Sequence, residues 1–306
     1  MEDYPRTLLE FENRFATEEA CLEYLFRLRW PEGFRCPNCG HAKAWSTKRA
    51  LYHCVRCGFQ TSVTAGTIFQ DTKKPVRLWF RAIWHLTSQK YGANALGLQR
   101  VLGLGSYRTA WTWLHKLRRA MVRPGRDRLS GPVDADETYI GGEKPGKRGR
   151  GAAGKVLVIV AVEVKEGKIG RIRLKRVPDA SERSLGGAVK EAVEPGSTVR
   201  TDGWKGYRGL SKKGYAHEVV RKEAEVGRNL LPKVNRVVAL LKRWLLGTYQ
   251  SRVEPSHLDY YLDEFTFRFN RRTSRSRGKL FYRLLEQAVA IDPVPAKDIR
   301  GGIQDS

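Results

Sequence analysis

Four cysteines carry the most readable chemistry in this 306-residue chain. Cys36-Pro37-Asn38-Cys39 and Cys54-Val55-Arg56-Cys57 form two CxxC pairs, with fourteen residues between them. Two residues between paired cysteines let both sulfurs turn onto one metal. Four thiolates complete a tetrahedral Zn²⁺ and leave no open position, so the implied site is structural. Gly40 and Gly58 each follow a pair directly, where a tight knuckle needs permissive backbone. His41 and His53 flank the site and are not needed as ligands. The fifth cysteine, Cys21, has no CxxC partner and reads as core. The chain starts MEDYPRTLLEFENRF, an acidic stretch without a signal-peptide pattern. Paired cysteines in that setting point to metal rather than disulfides, and to a reducing cytoplasm.

A second chemistry is carried by acidic residues in strand-like runs. Pro132–Ile140 reads as a strand, and alternation puts Asp134 and Asp136 on one face. Thr198-Val199-Arg200-Thr201-Asp202 reads as a short strand ending on an aspartate before Gly203. An acidic residue in a first strand and another at the end of a fourth suit a ribonuclease-H-like sheet, in which neighbouring strands bring the two together. Close carboxylates repel and call for a cation, and hard oxygen ligands favour Mg²⁺ or Mn²⁺. Two such ions can activate an attacking oxygen and stabilise the leaving oxygen of a phosphodiester. Acidic residues at strand ends are common, so this pattern needs its context.

The elements that must position these groups fall into three units, residues 34–66, 75–122 and 130–290, preceded by a helical segment. Residues 1–33 form an N-terminal helical segment in which Thr17–Trp30 reads as a helix, with Thr17 as N-cap and Glu18 and Glu19 at its positive end. Residues 34–66 make a zinc ribbon. Residues 75–122 read as helices: Pro75 suits a first turn, and Val76, Trp79, Phe80, Ile83 and Leu86 recur at helical spacing. Ala93–Leu102 follows, ended by Gly103-Leu104-Gly105. Ser106 then reads as the cap of a third helix, Tyr107 to Val122. In that helix Ala110, Trp113, Leu114, Leu117 and Met121 form an apolar face, and Arg108, Thr112, His115, Lys116 and Arg119 a polar one. A basic face behind an apolar one, after a tight Gly turn, fits a helix-turn-helix recognition helix, with Arg108, Lys116 and Arg119 as DNA contacts. The tryptophans read as core.

Residues 130–290 alternate strand-like and helix-like runs, as α/β domains do. The expected strands after the first are Lys155–Lys165, Lys168–Val177 and Thr198–Asp202, then His217–Val220. Helices are expected from Ser181 or Glu182 to Val193 and from about Leu230 to Leu246, where Gly247 stops the helix. Gly141 to Gly154 contains KPGKRGRGAAGK and reads as a basic loop. Residues 291–306 are a tail. The fold class is therefore multidomain α+β: a zinc ribbon, a helix-turn-helix and a ribonuclease-H-like α/β core.

Lys plus Arg number 57 against 32 Asp plus Glu, a formal charge of +25 that reads as spread along the chain. The simplest partner is a polyanion, and nucleic acid is the commonest one. Such binding weakens steeply with salt. No apolar stretch of about eighteen residues occurs, so no membrane span is expected.

The stretches DETYIGG (136–142), VRTDGWKGY (199–207), LLKRWLLGTYQ (240–250) and YLDEFTFRFNRR (261–272) resemble those of bacterial insertion-sequence transposases. The branch is the one of the DDE superfamily that carries a zinc ribbon and an ISXO-type transposase domain. The resemblance runs from the cysteines to the FNRR segment. It implies a ribonuclease-H-like catalytic core, structural Zn²⁺, catalytic Mg²⁺ or Mn²⁺, and strand transfer at terminal inverted repeats. Asp136 matches the first catalytic aspartate, with Asp134 the weaker candidate, and Asp202 matches the second. The third position of the superfamily is usually Glu, with Lys or Arg seven residues later. Counting back from Lys242 gives Asn235, a departure that some similar branches share. Seven residues are nearly two helical turns, so both lie on one helix edge. The resemblance thus implies Mg²⁺ ligation by Asp136, Asp202 and Asn235, and phosphate contact by Lys242. Glu218, Glu223 and Glu225 are alternative carboxylates. Implied partners are double-stranded DNA, as element ends and as target, and further copies of the chain, since two ends must be held together. The expected setting is the bacterial cytoplasm, with nucleoid association when bound. Two other readings stay open: an inactive or domesticated DNA-binding relic, and a zinc-ribbon and helix-turn-helix regulator.

Overall fold

A computed structural model describes residues 2–47, 50–123, 125–141, 155–220, 230–250 and 253–301. In chain order the elements are α1 (Leu8–Arg14), α2 (Glu18–Arg29), β1 (Ala44–Ser46), β2 (Leu51–Cys54), β3 (Gln60–Ser62), α3 (Val76–Ser88), α4 (Ala95–Leu102) and α5 (Tyr107–Ala120). There follow β4 (Pro132–Ile140), β5 (Val156–Lys165), β6 (Lys168–Val177), α6 (Glu182–Ala192), β7 (Thr198–Thr201), β8 (Ala216–Val219), α7 (Pro232–Tyr249), α8 (Leu258–Asn270), α9 (Arg277–Ala288) and α10 (Ala296–Gly301). The chain divides into two compact units, residues 1–124 with 274–301, and residues 125–273 with 302–306. Most of the basic loop at 141–154 lies outside the described residues, as do Glu223 and Glu225.

In the first unit, Thr17 caps α2 by accepting from the Ala20 N–H at 3.2 Å. The three ribbon strands pair antiparallel in the order β1-β2-β3. One face of that small sheet is held by aromatic packing: Tyr52 lies 5.1 Å from Phe26, 5.6 Å from Trp30 and 5.9 Å from Phe34 between ring centroids. Cys21 is fully buried, and burial pushes its thiol up to about 12, so it stays protonated core. Trp79 of α3 stacks on Trp113 of α5 at 3.8 Å, and both are buried.

Two features of this unit differ from the sequence reading. The polar face expected for α5 is closed at its middle: Thr112 is 8% exposed and His115 0%. His115 stacks on Trp111 at 3.8 Å, and its Nδ1 bonds the Trp111 carbonyl. Polar side chains that can bond inward are not barred from a helix interior. The second difference is that α9 packs here and not with the α/β core. Phe281 of α9 meets Phe11, Phe80 and Trp84 at centroid distances of 5.4, 5.6 and 5.7 Å. Gly278 permits the approach, because a Cβ there would sit 1.5 Å from the Pro5 carbonyl oxygen. The tail likewise ends in α10, whose Ile299 is fully buried.

The second unit holds a five-stranded sheet in the order β6-β5-β4-β7-β8. β4, β5 and β6 run antiparallel, and β7 and β8 run parallel to β4. The first and fourth strands of the unit are therefore neighbours, the relationship on which the ribonuclease-H-like expectation rests. One face packs Val133, Ala135, Ile159 and Val199 against α6 and Tyr207. The other packs Val158, Val160 and Val162 against Val234, Val237 and Leu241 of α7 and Leu262 and Phe265 of α8. α7 does not stop at Gly247. It runs through to Tyr249, and Gln250 closes it in the left-handed region at φ 51°. Glycine inside a helix costs only about 1 kcal/mol, and contacts beyond it, such as Tyr249 on Trp244 at 5.1 Å, outweigh that.

The FNRR segment proves to be a fastening. The Asn270 side chain accepts from the Ile172 N–H at 2.7 Å and donates to the Ile172 carbonyl at 3.1 Å. Arg272 donates to the Gly170 carbonyl at 3.1 Å and also to that of Ile169. These bonds engage part of the outer edge of β6, an edge strand of the sheet, from Ile169 to Ile172.

Candidate metal centre and active site

The four paired cysteines converge. Their sulfurs all lie within 4.8 Å of one another, with Cys36–Cys57 at 3.7 Å and Cys39–Cys54 at 3.6 Å. A tetrahedral Zn²⁺ with Zn–S near 2.3 Å needs sulfurs about 3.8 Å apart, so the cage fits zinc. The two knuckles are built alike. The Gly40 N–H donates to the Cys36 carbonyl at 2.9 Å, and the Gly58 N–H to the Cys54 carbonyl at 3.0 Å. Both glycines take positive φ, 71° and 68°, as so tight a turn requires. This is the expected zinc ribbon.

The acidic site is set by strand register. Parallel pairing of β4 with β7 puts Asp134 opposite Arg200. Two residues further on, the same face carries Asp136 from β4 and Asp202 just beyond β7, since neighbouring strands lie about 4.8 Å apart. Asp136 is half-buried and Asp202 exposed, an open oxygen-rich pair of the kind a hard divalent cation takes. Asp134 has a different occupation. It is 2% exposed, and it accepts from Arg200 Nε at 2.7 Å. That buried pair turns Asp134 away from a ligand role.

The two aspartates are joined through the turn that follows β7. Asp202 Oδ1 accepts from the Trp204 N–H at 2.9 Å, and Trp204 Nε1 donates to the Ala180 carbonyl at 3.0 Å. Gly203 takes φ 83°, and a Cβ there would fall 2.6 Å from Val219. The next turn carries Tyr207, fully buried, whose hydroxyl donates to Glu137 Oε2 at 2.9 Å. The Glu137 N–H in turn donates to Asp136 Oδ1 at 2.8 Å. Burial, then the charge of Glu137, then those of Asp136 and Asp202, hold the Tyr207 hydroxyl well above its ordinary range. It therefore remains a donor. Glu137 and Tyr207 were not singled out from the sequence, although both lie in the quoted DETYIGG and VRTDGWKGY stretches.

Asn235 and Lys242 lie seven residues apart on α7, both exposed. The apolar stripe of α7 packs on the sheet face that carries Asp136. Burial of its stem, followed by the charge of Lys155, lowers the proton affinity of Lys242. Glu218 of β8 pairs with Arg200, in line with the Asp134–Arg200 bond rather than with Asp136.

The three expected DNA contacts of α5 are not alike. Arg108 and Arg119 are exposed. Lys116 is half-buried and donates through Nζ to the Ile68 carbonyl at 3.3 Å.

Comparison with known proteins gives consistent matches. Residues 128–270 match the family described as the ISXO2-like transposase domain, and residues 16–60 the transposase zinc-ribbon domain. A protein of the transposable element ISH50 from Halobacterium salinarum is 26% identical over 291 residues, covering 87% of this chain and 94% of that protein. Among solved structures, the catalytic core domain of BIV integrase matches 48% of this chain and 86% of its own, with a TM-score of 0.34 and 15% identity. A simian T-cell lymphotropic virus intasome matches 65% of this chain and 74% of its own, with a TM-score of 0.33 and 17% identity.

Proposed function

We propose that the chain, which matches the ISXO2-like transposase domain and the transposase zinc-ribbon domain, is an insertion-sequence transposase that binds the terminal inverted repeats of its element and cuts and rejoins DNA strands with divalent metal. The observation that carries the reading is the β4–β7 register, which supports Asp136 and Asp202 as a paired carboxylate site. In this reading both carboxylates hold Mg²⁺ or Mn²⁺, and the Asn235 amide oxygen completes the set. Held there, such cations would supply activation of the attacking oxygen and stabilisation of the leaving one. Lys242 holds the phosphate beside the scissile bond. The bonds through Glu137 and Tyr207 keep the two aspartates aligned before metal arrives. Helices α3 to α5 serve as a helix-turn-helix, with Arg108 and Arg119 toward DNA. Two element ends are held by at least two copies of the chain.

A neutral amide at Asn235 supplies no charge, which favours a second reading as a protein that binds ends without cutting. Incubating the purified chain with element ends and Mg²⁺ separates the two. Strand cleavage that disappears in Asp136→Asn supports the transposase. Retained end binding without cleavage, in the unaltered chain, supports the relic.

A further inference from the structure

The buried face of the ribbon sheet is explained by its aromatic packing on α2 and the residues after it; the outer face is not. Register puts Trp45 opposite His53, and His53 opposite Gln60, in one row across the three strands. Trp45 and His53 stack face to face, with centroids 4.1 Å apart and planes 14° apart. The indole is nevertheless 55% exposed. Lys43 shares the Trp45 side of β1 by alternation, and its carbonyl accepts from the Val55 N–H at 3.2 Å, which brings the second knuckle alongside. Val55 is 56% exposed, and Lys43 and Arg56 are exposed. The charge here is one-signed. Between Glu32 and Asp71 the sequence has no acidic residue, whereas it has Arg35, Lys43, Lys48, Arg49 and Arg56.

We propose that the outer face of the zinc ribbon docks unpaired DNA, with a base stacked on Trp45 and the adjoining phosphates held by Lys43 and Arg56. An exposed indole held flat against a sheet among basic side chains offers a stacking surface. The absence of carboxylates fits a polyanion. Among polyanions, the flat π-face selects a strand whose bases are free, because bases inside a duplex are stacked on each other and offer edges only. Stacking platforms beside basic side chains are the general solution for single strands. His53 backs the indole and fixes its plane. The assignment rests on the transposase reading only for the place of such a strand in the reaction, at the frayed or cut tip of the element. Binding itself requires no cutting.

The test uses the full chain and fluorescently labelled oligothymidylate, with a duplex hairpin of similar length as comparison. Trp45→Ala should weaken oligothymidylate binding about tenfold, near the lower end of one base–aromatic stack, while Trp45→Phe keeps most of it. Zinc content at one per chain shows that the ribbon is intact. Lys43→Glu with Arg56→Glu, two surface changes that leave packing alone, should weaken the same binding and flatten its salt dependence. Hairpin binding should change much less in Trp45→Ala. Unchanged oligothymidylate affinity in a zinc-loaded Trp45→Ala chain overturns the proposal. Equal losses for oligothymidylate and hairpin in that variant overturn it too. A chain that binds oligothymidylate through Trp45 but never cuts element ends leaves this proposal standing and removes the transposase reading.

Discussion

Tyr207 donates its hydroxyl hydrogen bond to Glu137 at 2.9 Å on the sheet face opposite Asp136. This places a partly buried bond, made by a fully buried tyrosine, behind a candidate metal ligand. Because Glu137 also donates its N–H to Asp136, the bond restrains the aspartate without touching metal or DNA. Tyr207→Phe keeps the ring and deletes the donor. The expected cost is about 1–3 kcal/mol of stability, seen as a lower Tm. Cleavage of element ends should fall roughly tenfold, the factor that about 1.4 kcal/mol of lost alignment corresponds to, and added Mg²⁺ should recover part of it. End binding and zinc content should not change. Full cleavage by Tyr207→Phe at limiting Mg²⁺ would show that the pair serves the fold alone.

Asp136→Asn and Asp202→Asn should each abolish cutting and spare end binding, since each removes charge that the cations need. Gel-shift and cleavage assays on the same preparations decide this. Cutting by either variant at ordinary Mg²⁺ would reject that aspartate as a ligand.

Asn235 allows a test in both directions. Asn235→Ala should lower activity by removing an oxygen ligand, and Asn235→Glu should keep activity or raise it at low Mg²⁺. Strand-transfer rates across a Mg²⁺ titration are the measurement. Unchanged rates in Asn235→Ala at limiting metal would reject Asn235 as a ligand.

Zinc removal should unfold the ribbon, because metal affinity in such small units is folding energy. Cys39→Ser should lose the metal. Metal analysis of fresh unaltered protein should give one zinc per chain, and a clearly lower value would contradict the cysteine cage.

Glu163 makes acid stability measurable at one site. Its side chain is fully buried. Burial opposes its charge, yet the Arg171 side chain and N–H, with the Ser130 N–H, hold it at about 2. Gly170 leaves it room, since a Cβ there would lie 2.9 Å from Glu163 Oε2. A folded value below the unfolded one means stability that is present above about pH 4.5 and lost as pH falls toward 2. The shift corresponds to roughly 3 kcal/mol. The stability gap between the unaltered chain and Glu163→Gln should be constant above pH 5 and shrink below it in urea melts. A gap independent of pH down to 2 would contradict the pairing.

The α5 surface separates binding from packing. Arg108→Glu with Arg119→Glu should weaken end binding and reduce its salt dependence, because both side chains are exposed. Lys116→Glu should mainly lower Tm, because its ammonium bonds the Ile68 carbonyl. Equal loss of end binding in both variants would return Lys116 to the DNA surface.

Much of the sheet was legible. β4 and β6 run over the residues that alternation and turn signals marked, Pro132–Ile140 and Lys168–Val177, because period-2 patterning and the turn at Gly167 are local properties. The zinc cage was legible for the same reason: its spacing is the chemistry. Burial of Thr112 and His115 was not, since a periodicity cannot say whether a second layer covers the polar side. The end of α7 was missed because a glycine's preference is small against the contacts that hold Trp244 and Tyr249. Asp134 and Asp136 looked interchangeable in sequence. Only the partner strand tells them apart, by setting Arg200 beside the first.

The fastening of β6 has a consequence for assembly. Asn270 occupies both main-chain groups of Ile172, and Arg272 takes the carbonyls of Ile169 and Gly170. Those main-chain groups are taken by the chain's own side chains, so a strand from another molecule could not use them to extend the sheet. The segment quoted for its resemblance thus acts as a selvedge along this part of β6, while β8 forms the other border of the sheet.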